Sequence, residues 1–130
     1  GLIPAAVEEA ARFDPPVQGF RRLTTRPVTL AGTELPAGAT VFVAFGSAGR
    51  DESAYPRPDT FDITRTATRH LGFGHGVHAC VGAQLAREQL RITLETLTVR
   101  LPGLRLAEDQ PIAMLPTMIH RSPEALPVTW

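Results

Sequence analysis

The run Phe73-Gly74-His75-Gly76-Val77-His78-Ala79-Cys80-Val81-Gly82 holds the only cysteine of the 130 residues, and glycines surround it. A long helical pattern starts directly behind it, predicted from about Cys80 to Arg100. A thiol at a helix N-terminus faces the positive end of the macrodipole and the unpaired N–H groups of the first turn, so its thiolate form is favoured. A thiolate binds a soft metal or a haem iron. His75, His78 and Cys80 also lie within six residues, and nitrogen and sulfur donors of this kind bind zinc. The zinc reading needs a fourth ligand and leaves the Phe/Gly pattern unexplained.

A second pair of interest is Glu9 and Arg12. Three residues apart on a helix, their side chains can meet. Such a pair is worth only a few tenths of a kcal/mol when exposed.

The elements that position these groups follow from periodicity and punctuation. Pro4 to Asp14 reads as a short helix with an apolar stripe of Ile3, Ala6, Val7 and Ala10, stopped by Pro15-Pro16. Leu23 to Leu30 is extended. Ala31-Gly32 and Leu35-Pro36-Ala37-Gly38 mark turns. Val41 to Phe45 reads as a buried strand. Gly46 to Gly72 is a structured coil with a short helix near Arg50 to Ala54. The long helix carries Ala86, Leu90, Leu94, Leu97 and Leu101 on one side and Val81, Leu85, Ile92 and Val99 on another. A helix apolar on two sides belongs inside a larger body. Arg87, Arg91, Glu95 and Thr98 form its polar stripe, and Pro102-Gly103 ends it. Short strands broken by prolines are predicted for the tail, Leu104 to Trp130. The fold class is α+β.

The bulk numbers agree with one modest core. Hydrophobic residues make up 43 %, and 13 basic residues balance 13 acidic ones, so no electrostatic footprint for nucleic acid is present. A lone cysteine makes no internal disulfide, which suits a reducing compartment. No apolar run approaches membrane-spanning length, and no leader peptide pattern opens the chain. It opens on Gly1 rather than Met, as expected of a fragment or a processed start.

Phe73-x-x-Gly76-x-x-x-Cys80-x-Gly82 resembles the haem-ligand loop of the cytochromes P-450, and Glu9-Ala10-Ala11-Arg12 resembles their Glu-x-x-Arg helix. The order of Pro15-Pro16-Val17-Gln18-Gly19, Arg50-Asp51, Pro56-x-Pro58-Asp59-x-Phe61-Asp62, Arg69-His70-Leu71 and Leu126-Pro127-Val128 is similar to a soluble bacterial member. The resemblance covers essentially the whole chain. It implies that residues 1–130 are the C-terminal, haem-binding portion of a single cytochrome P-450 domain, without the upstream segment that handles dioxygen and without most of the substrate pocket. The implied activity of the complete enzyme is that of a haem-thiolate monooxygenase inserting one oxygen atom from dioxygen into an apolar organic substrate. The implied cofactor is haem b, the implied electron donor is of the ferredoxin type, and the implied location is the cytoplasm, with neither nucleic acid nor membrane as a partner.

The resemblance also assigns roles. Cys80 becomes the axial thiolate, pushing electron density onto iron. Phe73 packs beside the sulfur, and Gly74, Gly76 and Gly82 let backbone approach the porphyrin, Gly76 and Gly82 with unusual dihedrals. His78 donates to a haem propionate, and Arg22 or its neighbour Arg21 serves the other. Glu9 and Arg12 tie the helix to the coil as a buried structural pair. The usual third, basic member falls on Thr60, so Arg57 or Arg65 substitutes. Val17, Gln18, Gly19, Phe20 and Met118, within the stretches Val17 to Phe20 and Met114 to Ile119, fall where the family lines its pocket. Arg87 either meets an acidic redox partner or belongs to a solvated face. The alternatives are a haem-binding but catalytically inactive module and a zinc-binding domain. The isolated 130 residues are expected to aggregate, hold haem weakly and oxidise nothing.

Overall fold

The computed structural model describes residues 1–66, 69–107 and 110–130. The first helix, α1, spans Ile3–Phe13 with Pro4 in its first turn, where the missing N–H was unpaired anyway. It stops at Asp14, before the two prolines. Its buried face is not the predicted stripe. Val7 and Ala11 are buried together with Glu9 and Arg12, while Ala10 is exposed. The polar pair turns inward to meet the coil, and that rotation carries Ala10 to the outside.

Three two-stranded antiparallel sheets follow. Strand β1 (Gly19–Leu23) pairs with β4 (Thr40–Ala44), Arg21 opposite Phe42 and Arg22 opposite Val41. Strands β2 (Val28–Leu30) and β3 (Thr33–Leu35) form a hairpin that turns on Ala31-Gly32. Both turn residues have positive φ, 47° and 82°, which matches the twist of the strands they join. In the tail, β5 (Arg105–Leu106) pairs with β6 (Val128–Thr129). The strand expected to be buried is half open: Phe42 and Val43 are exposed, because β4 has a partner on one edge and no layer over its face among the described residues. Phe45 belongs to a one-turn helix, α2 (Phe45–Ala48). The helix predicted near Arg50 is only a turn, since the Asp51 side chain takes the Ser53 amide and hydroxyl and competes with helical bonding.

Helix α3 spans Ala83–Arg100, and α1 packs against it. It begins three residues later than predicted. No residue of α3 is fully buried, and Leu85, Leu90, Ile92 and Val99 are exposed. Among the described residues the buried apolar ones are Val7, Ala11 and Tyr55, and the largest fully buried side chains are Arg12 and Pro15. The centre is therefore a polar junction between α1 and the coil rather than a hydrocarbon core. So much open apolar surface supports the expectation that residues 1–130 alone associate. Among the described residues no helix is long and apolar enough to cross a membrane.

Candidate functional site

The cysteine loop is built by backbone bonds. The Gly74 amide donates to the Leu71 carbonyl at 2.8 Å, Ala79 to Gly76 at 3.0 Å, and Cys80 to Phe73 at 2.8 Å. Gly74 and Gly76 have φ of 70° and 66°, a left-handed conformation that favours glycine. Gly82 does not: its φ is −88°, and it serves instead as the N-terminal boundary of α3. Cys80 thus lies three residues ahead of the helix, not within its first turn, and its carbonyl accepts the Ala83 amide at 3.2 Å. The expected helix-terminus effect on the thiol is correspondingly more remote. The thiol is exposed. A single 3-10 turn, Gly76–His78, carries His78 on the exposed surface ahead of it.

Phe73 touches the cysteine through its carbonyl. Its ring lies under the Arg87 guanidinium, 4.4 Å from carbon to centroid, and 5.9 Å from the His70 ring. Arg87 is not a free surface charge. It binds Glu8 in fork fashion at 2.6 and 3.0 Å, and Glu8 also meets His70 at 3.0 Å. These bonds hold the Glu8 carboxyl below the usual carboxylate range, the Arg87 hydrogen bond outweighing partial desolvation. Glu8 and His70 carry no signal in sequence spacing, because Glu8 lies 62 and 79 residues from its two partners.

On the other side of α1, Arg12 grips Glu9 through two bonds of 2.8 Å. It also donates to the carbonyls of Gly49 (2.6 Å), Pro58 (2.9 Å) and Thr60 (3.2 Å). Glu9 accepts the Asp62 amide at 2.8 Å and Arg65 at 3.4 Å. Arg65 is therefore the basic third member that Thr60 does not supply. Its guanidinium further holds the carbonyls of Pro56, Arg57 and Thr60. Arg57 instead points outward to Asp62. Desolvation acts to raise the Glu9 pKa, but the hydrogen bonds from Arg12, Asp62 and Arg65 and the charge of Arg12 overcome it and lower it from 4.5 to about 2.

A pH dependence follows. As pH falls below 4.5, the unfolded chain takes up the Glu9 proton before the folded one does. The stability from this depressed pKa is complete above 4.5 and lost progressively down to about 2. It amounts to roughly 3 kcal/mol. Denaturant unfolding of wild type and Glu9→Gln across that range should show the wild-type advantage shrinking as pH falls. A constant difference would contradict the assignment.

The pleat of β1 separates the two candidate propionate partners. Arg22 shares a face with Phe20, its guanidinium 5.7 Å from that ring, and Arg21 is on the opposite face. Phe20 is exposed and packs edge-on against Phe45. Val17 bridges to His120, and the Gln18 amide donates to the Ile119 carbonyl at 2.7 Å. The two stretches expected to line one pocket are thus adjacent, with Met118 exposed beside them. The Gln18 side chain is used otherwise, donating to the Pro15 carbonyl at 2.7 Å. Gly19 is buried, and a Cβ there would collide with the Val43 carbonyl and the Phe42 ring.

The surroundings of Cys80 fit a flat apolar group bound through one soft donor. Val77 and Val81 are almost wholly exposed, and Leu85 is 64 % exposed, so the accessible thiol is flanked by apolar side chains that water alone would leave unfavourably hydrated. Zinc has no such fit. Among the described residues no three His, Cys, Asp or Glu side chains converge, and the His75 Nδ1 accepts a bond from Arg69 at 3.1 Å.

The cytochrome P-450 family model matches residues 2–124. The chain is 46 % identical to mycinamicin IV hydroxylase/epoxidase of Micromonospora griseorubida over 99 % of its own length and 33 % of that enzyme. It is 44 % identical to nocardicin C N-oxygenase of Nocardia uniformis, again covering 99 % of this chain and 33 % of the relative. The crystal structure of P-450 BioI with an acyl carrier protein carrying hexadec-9Z-enoic acid superposes with a TM-score of 0.94 at 40 % identity, over 99 % of this chain and 33 % of that one. The chain belongs to the cytochrome P-450 family, whose members bind haem b. It spans about a third of the length of the curated relatives it matches.

Proposed function

We propose that residues 1–130 form the haem-binding portion of a single P-450 domain, and that the full-length protein is a haem-thiolate monooxygenase. The carrying observation is the exposed Cys80 thiol, the only one in residues 1–130, its amide held by the Phe73 carbonyl in the left-handed glycine loop, with exposed Val77 and Val81 close to it in sequence. Haem b at Cys80 supplies the oxygen chemistry, insertion of one atom of dioxygen into an apolar organic substrate with electrons from a ferredoxin-type donor.

The chain's own residues do the rest. Cys80 ligates iron as thiolate, its position set by the amide bond to Phe73. With haem bound, exposed Val77, Val81 and Leu85 would offer it apolar contact. Gly74 and Gly76 let the loop lie flat, and Gly82 starts the helix behind it. His78 and Arg22 neutralise propionates by charge-assisted bonds. Glu9 and Arg12, with Arg65, hold the coil that leads into the loop. Val17, Gly19, Phe20 and Met118 line the substrate side. The relatives are named for mycinamicin IV and nocardicin C, which supports an organic substrate.

Titration of the full-length protein with haem should saturate at one haem per chain. With dioxygen and a ferredoxin-type donor system it should then transfer one oxygen atom to an apolar substrate. Stoichiometric haem without oxygen transfer to any of a broad substrate panel would favour the inactive haem-binding alternative.

A further inference from the structure

We propose that Glu8 is a positioning residue for the Cys80 sulfur, acting through a clamp on Phe73; the proposal rests on haem being held at Cys80. Glu8 accepts three N–H bonds, two from Arg87 and one from the His70 Nε2. The His70 Nδ1 accepts the Gly72 amide at 3.1 Å, so the hydrogen bonding assigns the ring proton to Nε2 and aims it at Glu8. Both partners of the carboxylate lie against one ring. Arg87 stacks over Phe73 at 4.4 Å, in the range of a cation–π contact. His70 meets the same ring at 5.9 Å, tilted by 46°. Phe73 then holds the Cys80 amide.

The path from α1 to the sulfur is short and directional. Glu8 fixes two donors, these fix the Phe73 ring, and the backbone carbonyl of the same residue accepts the cysteine amide. His70 and Arg87 come from opposite sides of the loop, one just before it and one on α3. A single carboxylate therefore ties the entry and the exit of the haem-ligand loop to α1. Glu9 on the neighbouring position faces the coil and cannot do this. The electrostatics agree: the Glu8 hydrogen bond raises the Arg87 pKa and keeps the guanidinium charged.

The test uses the haem-loaded full-length protein. Its variants are Glu8→Ala, Glu8→Gln, Arg87→Ala, the Glu8→Ala/Arg87→Ala double variant and, as a control, Glu88→Ala, whose exposed side chain pairs, among the described residues, with half-buried Arg91. Haem transfer to an acceptor protein and the carbon monoxide difference spectrum are read beside the thermal midpoint. Loss of Glu8 should speed haem loss about tenfold, the scale on which outer partners of a metal ligand act. It should also shift part of the carbon monoxide complex out of the thiolate band. Glu8→Gln, which keeps the shape but offers one acceptor oxygen, should move both readouts less and in the same direction. The double variant should be no worse than the worse single, since one clamp is lost only once. Glu88→Ala should match the parent.

A Glu8→Ala protein with a lowered thermal midpoint but parental haem release and band would make Glu8 merely structural and overturn the proposal. Should Glu8→Ala not fold, parental behaviour of Glu8→Gln overturns it equally. No thiolate band in the parent would instead overturn haem ligation by Cys80. A parental band with unmoved Glu8 variants overturns the clamp alone.

Discussion

Replacing Cys80 with serine should abolish the carbon monoxide band that marks thiolate ligation, in full-length protein loaded with haem and reduced. Cys80 is the single thiol of residues 1–130. A serine hydroxyl is a hard donor that stays protonated at neutral pH and donates far less electron density than a thiolate. Cys80→His should behave differently in one respect: imidazole is a good iron ligand, so haem retention survives in part while the band still disappears. His75 and His78 are close in sequence, but His75 is engaged by Arg69 and His78 projects from the 3-10 turn. Neither restores a thiolate. Retention of the band in both variants would refute ligation by Cys80.

Replacing Arg12 with leucine should remove most of the stability of this part of the molecule. Arg12 is 2 % exposed and Glu9 5 %. The variant leaves a buried carboxylate whose one remaining charged partner among the described residues is the more distant Arg65, beside the neutral Asp62 amide, together with carbonyls of Gly49 and Pro58 that have lost their donor. Stranding one member of a buried ion pair costs roughly 3–5 kcal/mol. That is a large fraction of the total for a typical domain. Denaturant unfolding of the full-length protein measures it. A loss below about 1 kcal/mol, the scale of a surface pair, would contradict the buried geometry. Arg12→Lys should recover little, because an ammonium cannot serve Glu9 and carbonyls on two sides of a planar fork.

The sequence carried the local parts well. The α1 boundaries, the long helix behind Cys80, both turns and the broken tail strands follow from proline, glycine and helical periodicity. The family resemblance carried the cysteine loop. What failed was burial. Ala10 lies outside and Glu9 inside because a long-range polar network, not the apolar stripe, orients α1. Phe42 and Val43 are open although their strand reads as core, since hydrophobicity states a need for cover without showing what covers it. The family resemblance narrowed the third partner to Arg57 or Arg65, and only the path of the coil decides between them. The Glu8 junction was invisible for the same reason: its members meet only after α1, the loop and α3 come together.

The Arg12 junction also bears on the order of folding. The arginine bonds Gly49 and Pro58, 37 and 46 residues away, and Glu9 reaches Asp62 across 53. Among the described residues, the coil between α2 and the cysteine loop forms isolated turns and neither helix nor strand. Its shape exists only once those distant closures are made, and each must overcome chain entropy before any bond is gained. Contacts of such long sequence separation form late and set a slow rate. α1, α3 and the β2–β3 hairpin can form from local contacts, while the coil and the loop it feeds lock in together in the final step. Amide exchange should then show the coil opening as one cooperative unit. The ligand loop would acquire its shape at the same moment, which makes cofactor capture a terminal event in maturation rather than a nucleus for it.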